Sequence, residues 1–100
     1  MTVVTDPEGV SAEVIQQFYD FTNKRVLEIG CGRGRLTMPL AEPSQRITAI
    51  DPLEEDIQIA IENTPPDLKG KIDFIVSGIE HFDLPSGGAK FDIAIFTWSL

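Results

Sequence analysis

Two hydrophobic rhythms alternate along this chain. Val14, Ile15, Phe18 and Phe21 recur at three- and four-residue spacing, which predicts a helix from Ala12 to about Phe21 with Ser11 as its N-cap. Four short apolar runs, at Arg25–Ile29, Arg46–Ile50, Ile72–Val76 and Phe91 to Phe96 or Thr97, read as buried strands. Asn23 and Lys24 turn the chain into the first of them. A helix from about Arg33 to Ala41 follows, with Pro39 near enough to its first turn for the lost N–H to matter little. Glu42-Pro43-Ser44 is a turn. Asp51-Pro52-Leu53-Glu54 opens the next helix, with Asp51 as cap and Pro52 at its first position, and Pro65-Pro66 ends it. That helix presents Ile57, Ile59, Ala60 and Ile61.

Strands alternating with helices predict an α/β fold with a mainly parallel sheet and right-handed crossovers. Residues 1–10 read as a flexible lead-in. The stretch from Ser77 to Lys90, holding Pro85, Gly87 and Gly88, has room for a short helical turn. The division expected is a lead-in and helix over 1–24, then a site-bearing part over 25–100. With no helix after it, the fourth strand is expected to be an exposed edge. The chain then reads as the incomplete N-terminal part of a larger domain, or as a half completed by a partner, with a dimer covering that edge.

One hundred residues suffice for one small core. Eight Lys and Arg against sixteen Asp and Glu leave a formal charge of −8, a poor field for a nucleic-acid backbone. A small molecule or a protein partner fits better. Cys31 is the single cysteine, so no internal disulfide can form. The first residues carry neither a basic region nor an apolar core, and no apolar run approaches membrane-spanning length. The expectation is a soluble cytoplasmic protein that needs no metal.

Chemistry concentrates where the first strand breaks into glycines: Val26-Leu27-Glu28-Ile29-Gly30-Cys31-Gly32-Arg33-Gly34-Arg35-Leu36-Thr37. Glycines admit positive φ and let backbone approach a ligand, and the N–H groups that start the next helix suit polar or anionic groups. The dinucleotide fingerprint G-x-G-x-x-G would need a glycine at position 35, where Arg35 stands. The observed G-x-G-x-G, with Glu28 before it and Asp51 closing the second strand, resembles motif I and the following acidic motif of class I S-adenosylmethionine-dependent methyltransferases. The resemblance runs from about Val26 to Leu100.

The resemblance implies a Rossmann-like sheet with strand order 3-2-1-4 in the part present, and S-adenosyl-L-methionine as cofactor. Main-chain groups of Gly30, Cys31, Gly32 and Gly34 would reach its methionine moiety, and Glu28 would complement the ammonium. Asp51 would accept from both ribose hydroxyls, with Pro52 and Leu53 beside the adenine. Ser77-Gly78-Ile79-Glu80 resembles the adenine-contacting segment, often a Gly-Asp-Ala-Glu type run. Gly78 replaces the acid that commonly holds the adenine amine, which leaves the Ile79 N–H as the adenine contact. Phe96 and Thr97 would border the reactive methyl. The implied reaction is in-line methyl transfer that rests on positioning, so no catalytic residue is named. Phe96-Thr97-Trp98-Ser99 differs from the Asp-Pro-Pro-Tyr type motif of base-amino methylases, which favours a small-molecule acceptor.

Plainer readings stand beside these. The glycines can serve tight packing, Asp51 can be a helix cap and Glu28 a satisfied buried acid. Cys31 reads as a packed residue, His81 as solvated, Arg33 and Arg35 as surface charges, and Trp98 as core or a substrate-side aromatic. A cofactor-binding half-domain without catalysis and a nucleotide-dependent oxidoreductase are the competing functions. Arg35 argues against the second.

Overall fold

A computed structural model describes residues 1–6, 11–81 and 91–97. The strands are β1 (Thr2–Asp6), β2 (Arg25–Ile29), β3 (Arg46–Asp51), β4 (Ile72–Val76) and β5 (Ile93–Thr97). The helices are α1 (Ala12–Phe18), α2 (Thr37–Ala41) and α3 (Glu54–Asn63), with short 3-10 turns at Pro66–Leu68 and Ile79–His81. Every pairing is parallel, in the order β1-β5-β2-β3-β4. The four strands expected from the apolar runs form, and in the order expected for them.

The lead-in expected over residues 1–10 is corrected at residues 2–6, which form β1, while residues 7–10 lie outside the described residues. Thr2–Asp6 pairs with β5 in the register Val4↔Ile95, and Val4 is buried. The β5 edge, expected to lie open or against a second copy, is occupied by β1. Val3-Val4-Thr5 has the β-branched composition of a strand, but at this length it forms one only where an edge offers hydrogen bonds.

The first helix ends at Phe18, and its stripe splits: Ile15 is buried while Val14 and Phe18 are exposed, and Phe21 packs into the core from beyond the helix end. Ser11 caps as expected, its Oγ accepting from the Val14 N–H at 3.3 Å. The second helix starts at Thr37 rather than Arg33, since residues 32–36 are spent in turns. Pro39 is then its third residue, where an N–H has no intrahelical partner. In α3 the cap position is Leu53, so Asp51 and Pro52 stand ahead of the helix. Ile57 and Ala60 are buried, and Ile61 faces solvent.

Alternation in the strands sorts side chains to two faces. Val26, Ile47, Ala49, Ile72, Ile93 and Ile95 join Ile15, Leu40 and Ile57 in the main core, so the three helices share one face. Leu27, Ile50 and Ala94 form a smaller cluster on the other, with Ile29 and Phe91 against it. No described helix is long and apolar enough to cross a membrane. Pro85, Gly87, Gly88, Trp98 and Ser99 lie outside the described residues, as does the side chain of His81.

Candidate functional site

From β2 the chain runs outward to β3 and β4, then returns to place β5 on the other side of β2. The order reverses between β2 and β5, and ligands of open parallel sheets sit at the carboxyl ends of strands at such a switch point. Gly30 and Thr97 meet there.

All three turn glycines have positive φ: 85° at Gly30, 55° at Gly32 and 93° at Gly34. Two of them also answer a packing demand. A Cβ on Gly30 would stand 2.3 Å from the Thr97 carbonyl oxygen, and one on Gly34 would stand 2.9 Å from Met38 Cε. The missing side chains therefore let β2 approach β5 and let the turn fold onto α2. The turn is pinned to β3 as well, with the Gly30 and Cys31 N–H groups donating to the Ile50 carbonyl at 2.9 and 3.0 Å.

Asp51 ends β3 beside this turn and is buried. The Gly32 N–H donates to its Oδ2 and the Leu53 N–H to its Oδ1, each at 2.9 Å. It is a cross-link between the glycine turn and the entry to α3, not a cap on that helix. A carboxylate offers about four acceptor directions, and these two donors use one on each oxygen. A ligand with two adjacent hydroxyls matches what is left. Pro52, Leu53, Val76 and Ile79 are exposed around the same strand ends, an apolar surface suited to a flat ring. Free acceptor directions on Asp51 beside an apolar surface fit a nucleoside.

Glu28 lies beneath the turn, 1 % exposed, on the helix-facing side of β2. Burying a carboxylate is expensive unless it is hydrogen-bonded. The Thr37 hydroxyl, itself fully buried, donates to Glu28 Oε1. Thr97 Oγ1 stands 3.4 Å from Oε2, 3.2 Å from the Ile29 carbonyl and 2.7 Å from the Gly30 carbonyl. One hydroxyl carries one proton, and the shortest contact assigns it to Gly30. Glu28 is therefore a hydrogen-bonded buried acid, with Thr37 as a donor at Oε1. Nothing local in the sequence ties Thr37 to Glu28, nine residues earlier.

Cys31 is buried, and desolvation, with the carboxylates of Glu28 and Asp51 adding to it, holds its thiol far above the ordinary 9.0. Such a sulfur is packed rather than nucleophilic. Arg33 reaches Asp56 at 3.2 Å with its side chain largely in solvent. At Gly78 a Cβ would stand 3.0 Å from Glu80 Oε1, so the Glu80 carboxylate overlies the position that lacks a side chain. Ser77 Oγ donates to the Gly78 carbonyl at 2.8 Å. The sites expected at residues 28–34, 51–52, 78–79 and 97 thus gather around the carboxyl ends of β2 to β5. Among the described residues no group of His, Cys, Asp and Glu could hold a metal ion. An open cleft bordered by Phe18, Asp20 and Pro43 carries none of these residues and lies at the opposite ends of the strands.

Comparison with known proteins points the same way. A family profile described as a methyltransferase domain matches residues 26–100. The mitochondrial ubiquinone biosynthesis O-methyltransferase of Schizosaccharomyces pombe is 32% identical over 83 residues, covering 81% of this chain and 29% of that protein. Ribosomal protein arginine N-methyltransferase rmt3 of the same yeast is 38% identical over 93 residues, covering 91% and 17%. Phosphoethanolamine N-methyltransferase 1 of Haemonchus contortus, solved with phosphoethanolamine and S-adenosylhomocysteine, superposes with a TM-score of 0.74 at 26% identity, covering 88% and 18%. The chain spans less than a third of each of these proteins. With a parallel sheet, a glycine turn at its switch point and a family match over three quarters of its length, the chain belongs to the class I S-adenosylmethionine-dependent methyltransferase domains.

Proposed function

We propose that this chain is the cofactor-holding part of an enzyme that transfers a methyl group from S-adenosyl-L-methionine to a small-molecule acceptor. The observation that carries the reading is Asp51, a buried carboxylate held at the end of β3 by the Gly32 and Leu53 N–H groups with acceptor capacity to spare. When bound, the cofactor supplies an activated methyl on a sulfonium. Asp51 accepts from the ribose hydroxyls, and Pro52, Leu53 and Ile79 flank the adenine, with the Gly78–Ile79 backbone at its edge. The main chain of Gly30, Cys31, Gly32 and Gly34 faces the methionine moiety, Glu28 supplies negative charge beneath it, and Thr97 borders it. Orientation of two reactants is the main contribution such a site makes, so the fixed turn is itself the catalytic asset.

The acidic balance supports a small acceptor, as does the ubiquinone-pathway relative. The arginine N-methyltransferase among the relatives makes a protein acceptor the rival outcome. The lone buried cysteine and the absence of a membrane-crossing helix among the described residues support a cytoplasmic setting.

Calorimetry tests the cofactor assignment. The folded chain is expected to bind S-adenosylhomocysteine and to give no heat with NAD. Asp51→Ala is expected to weaken S-adenosylhomocysteine at least about tenfold, the scale of a lost hydrogen bond to a charged group. A chain that unfolds cooperatively yet takes up no S-adenosylhomocysteine would refute the reading.

A further inference from the structure

We propose that Thr37 is a positioning residue for the cofactor's amino-acid end, acting through Glu28; this rests on the function proposed above. Glu28 and Thr37 are both almost completely removed from solvent, and the Thr37 hydroxyl donates to Glu28 Oε1. Thr37 opens α2 immediately after the glycine turn, while Glu28 leaves β2 immediately before it. Their hydrogen bond therefore links the two chain segments that flank the glycine turn, whose own backbone is pinned to β3. On the other carboxylate oxygen stands Thr97, whose proton is committed to the Gly30 carbonyl at 2.7 Å. Of these two threonine hydroxyls, Thr37 is the one that donates to the acid.

A carboxylate in this position serves a ligand through its charge. The glycine turn lies directly over it, and the methionine moiety of the cofactor carries an ammonium. A hydrogen bond to the ionised form favours that form and fixes its direction. Removing the Thr37 hydroxyl takes away one donor that favours the ionised carboxylate and fixes its direction, so the charge is less well placed for the cofactor's ammonium. That loss costs binding at the amino-acid end and spares the nucleoside end, where Asp51 takes its donors from the Gly32 and Leu53 backbone.

The experiment compares S-adenosylhomocysteine with 5′-deoxy-5′-methylthioadenosine, which keeps the nucleoside and lacks both the ammonium and the carboxylate. Calorimetry on the full chain is expected to show Thr37→Val weakening S-adenosylhomocysteine about tenfold or more, the range of one charge-assisted hydrogen bond, with methylthioadenosine changed less than about twofold. Thr37→Ser, which restores the hydroxyl, is expected to return S-adenosylhomocysteine affinity to within about threefold of the original. Equal loss for both ligands, or no loss for either, overturns the proposal. So does a serine variant that behaves like valine.

If Thr37→Val does not fold, the unaltered chain still decides. The Thr37 hydroxyl proton, shielded by burial, is expected to shift in the NMR spectrum with S-adenosylhomocysteine and stay in place with methylthioadenosine. A resonance unmoved by bound S-adenosylhomocysteine overturns the proposal. An unaltered chain that binds neither ligand defeats the functional reading itself, whereas one that binds both while Thr37→Val matches it defeats the role of Thr37 alone.

Discussion

Gly30 has no room for a methyl group. A Cβ there would lie 2.3 Å from the backbone oxygen of Thr97, and its φ of 85° strains any other residue. Gly34 has comparable strain, but its neighbour is the far end of the flexible Met38 side chain. Thermal or urea unfolding is therefore expected to show Gly30→Ala losing about 3 kcal/mol or more and Gly34→Ala about 1–2 kcal/mol. Cys31 offers a pH test. Its thiol is held neutral in the fold by burial, with Glu28 and Asp51 adding to the effect, whereas the unfolded thiol ionises near 9.0. The native state then binds more protons than the unfolded one above that pH, and stability falls as pH rises. Relative to Cys31→Ala, the chain is expected to lose up to about 1.4 kcal/mol per pH unit above 9.0. At pH 8 the native thiol is expected to resist iodoacetamide more than about a hundredfold better than in denaturant. Glycine spacing and the acid at 51 were legible because φ and strand-end chemistry act over a few residues. The Glu28–Thr37 bond was not, since nothing local ties a helix threonine to a strand acid.

Among the elements, the central strands followed their apolar runs, and Ser11 capped α1 as its type and place require. Departures came where an element's fate is decided by a neighbour. The glycine turn consumes residues 32–36, so α2 starts at Thr37, and the Asp51 carboxylate bridges Gly32 and Leu53 instead of capping α3. β1 exists because β5 has an edge to satisfy. Val4 is buried there opposite Ile95. Val4→Asp is expected to detach this strand without unfolding the rest. Hydrogen exchange would show lost protection over Thr2–Asp6 and retained protection in β2 and β3. Protection falling together across the whole sheet would mean that β1 is part of the cooperative core.

On the scale of the whole molecule, the reversal of strand order between β2 and β5 gathers the site. It brings Thr97 together with Gly30 and with Glu28, 69 residues earlier in the chain than Thr97, in one part-buried cluster. The sequence by itself determined the α/β class, the four core strands, the positive-φ turn and the acid that follows it, because periodicity, glycine conformation and capping act locally. The tertiary structure decided that β1 covers the β5 edge, that two glycines answer to packing, that Asp51 is a cross-link, and that Thr37 donates to Glu28. Those outcomes depend on which groups meet across the sheet, and they are set by the burial of polar atoms that must each find a partner.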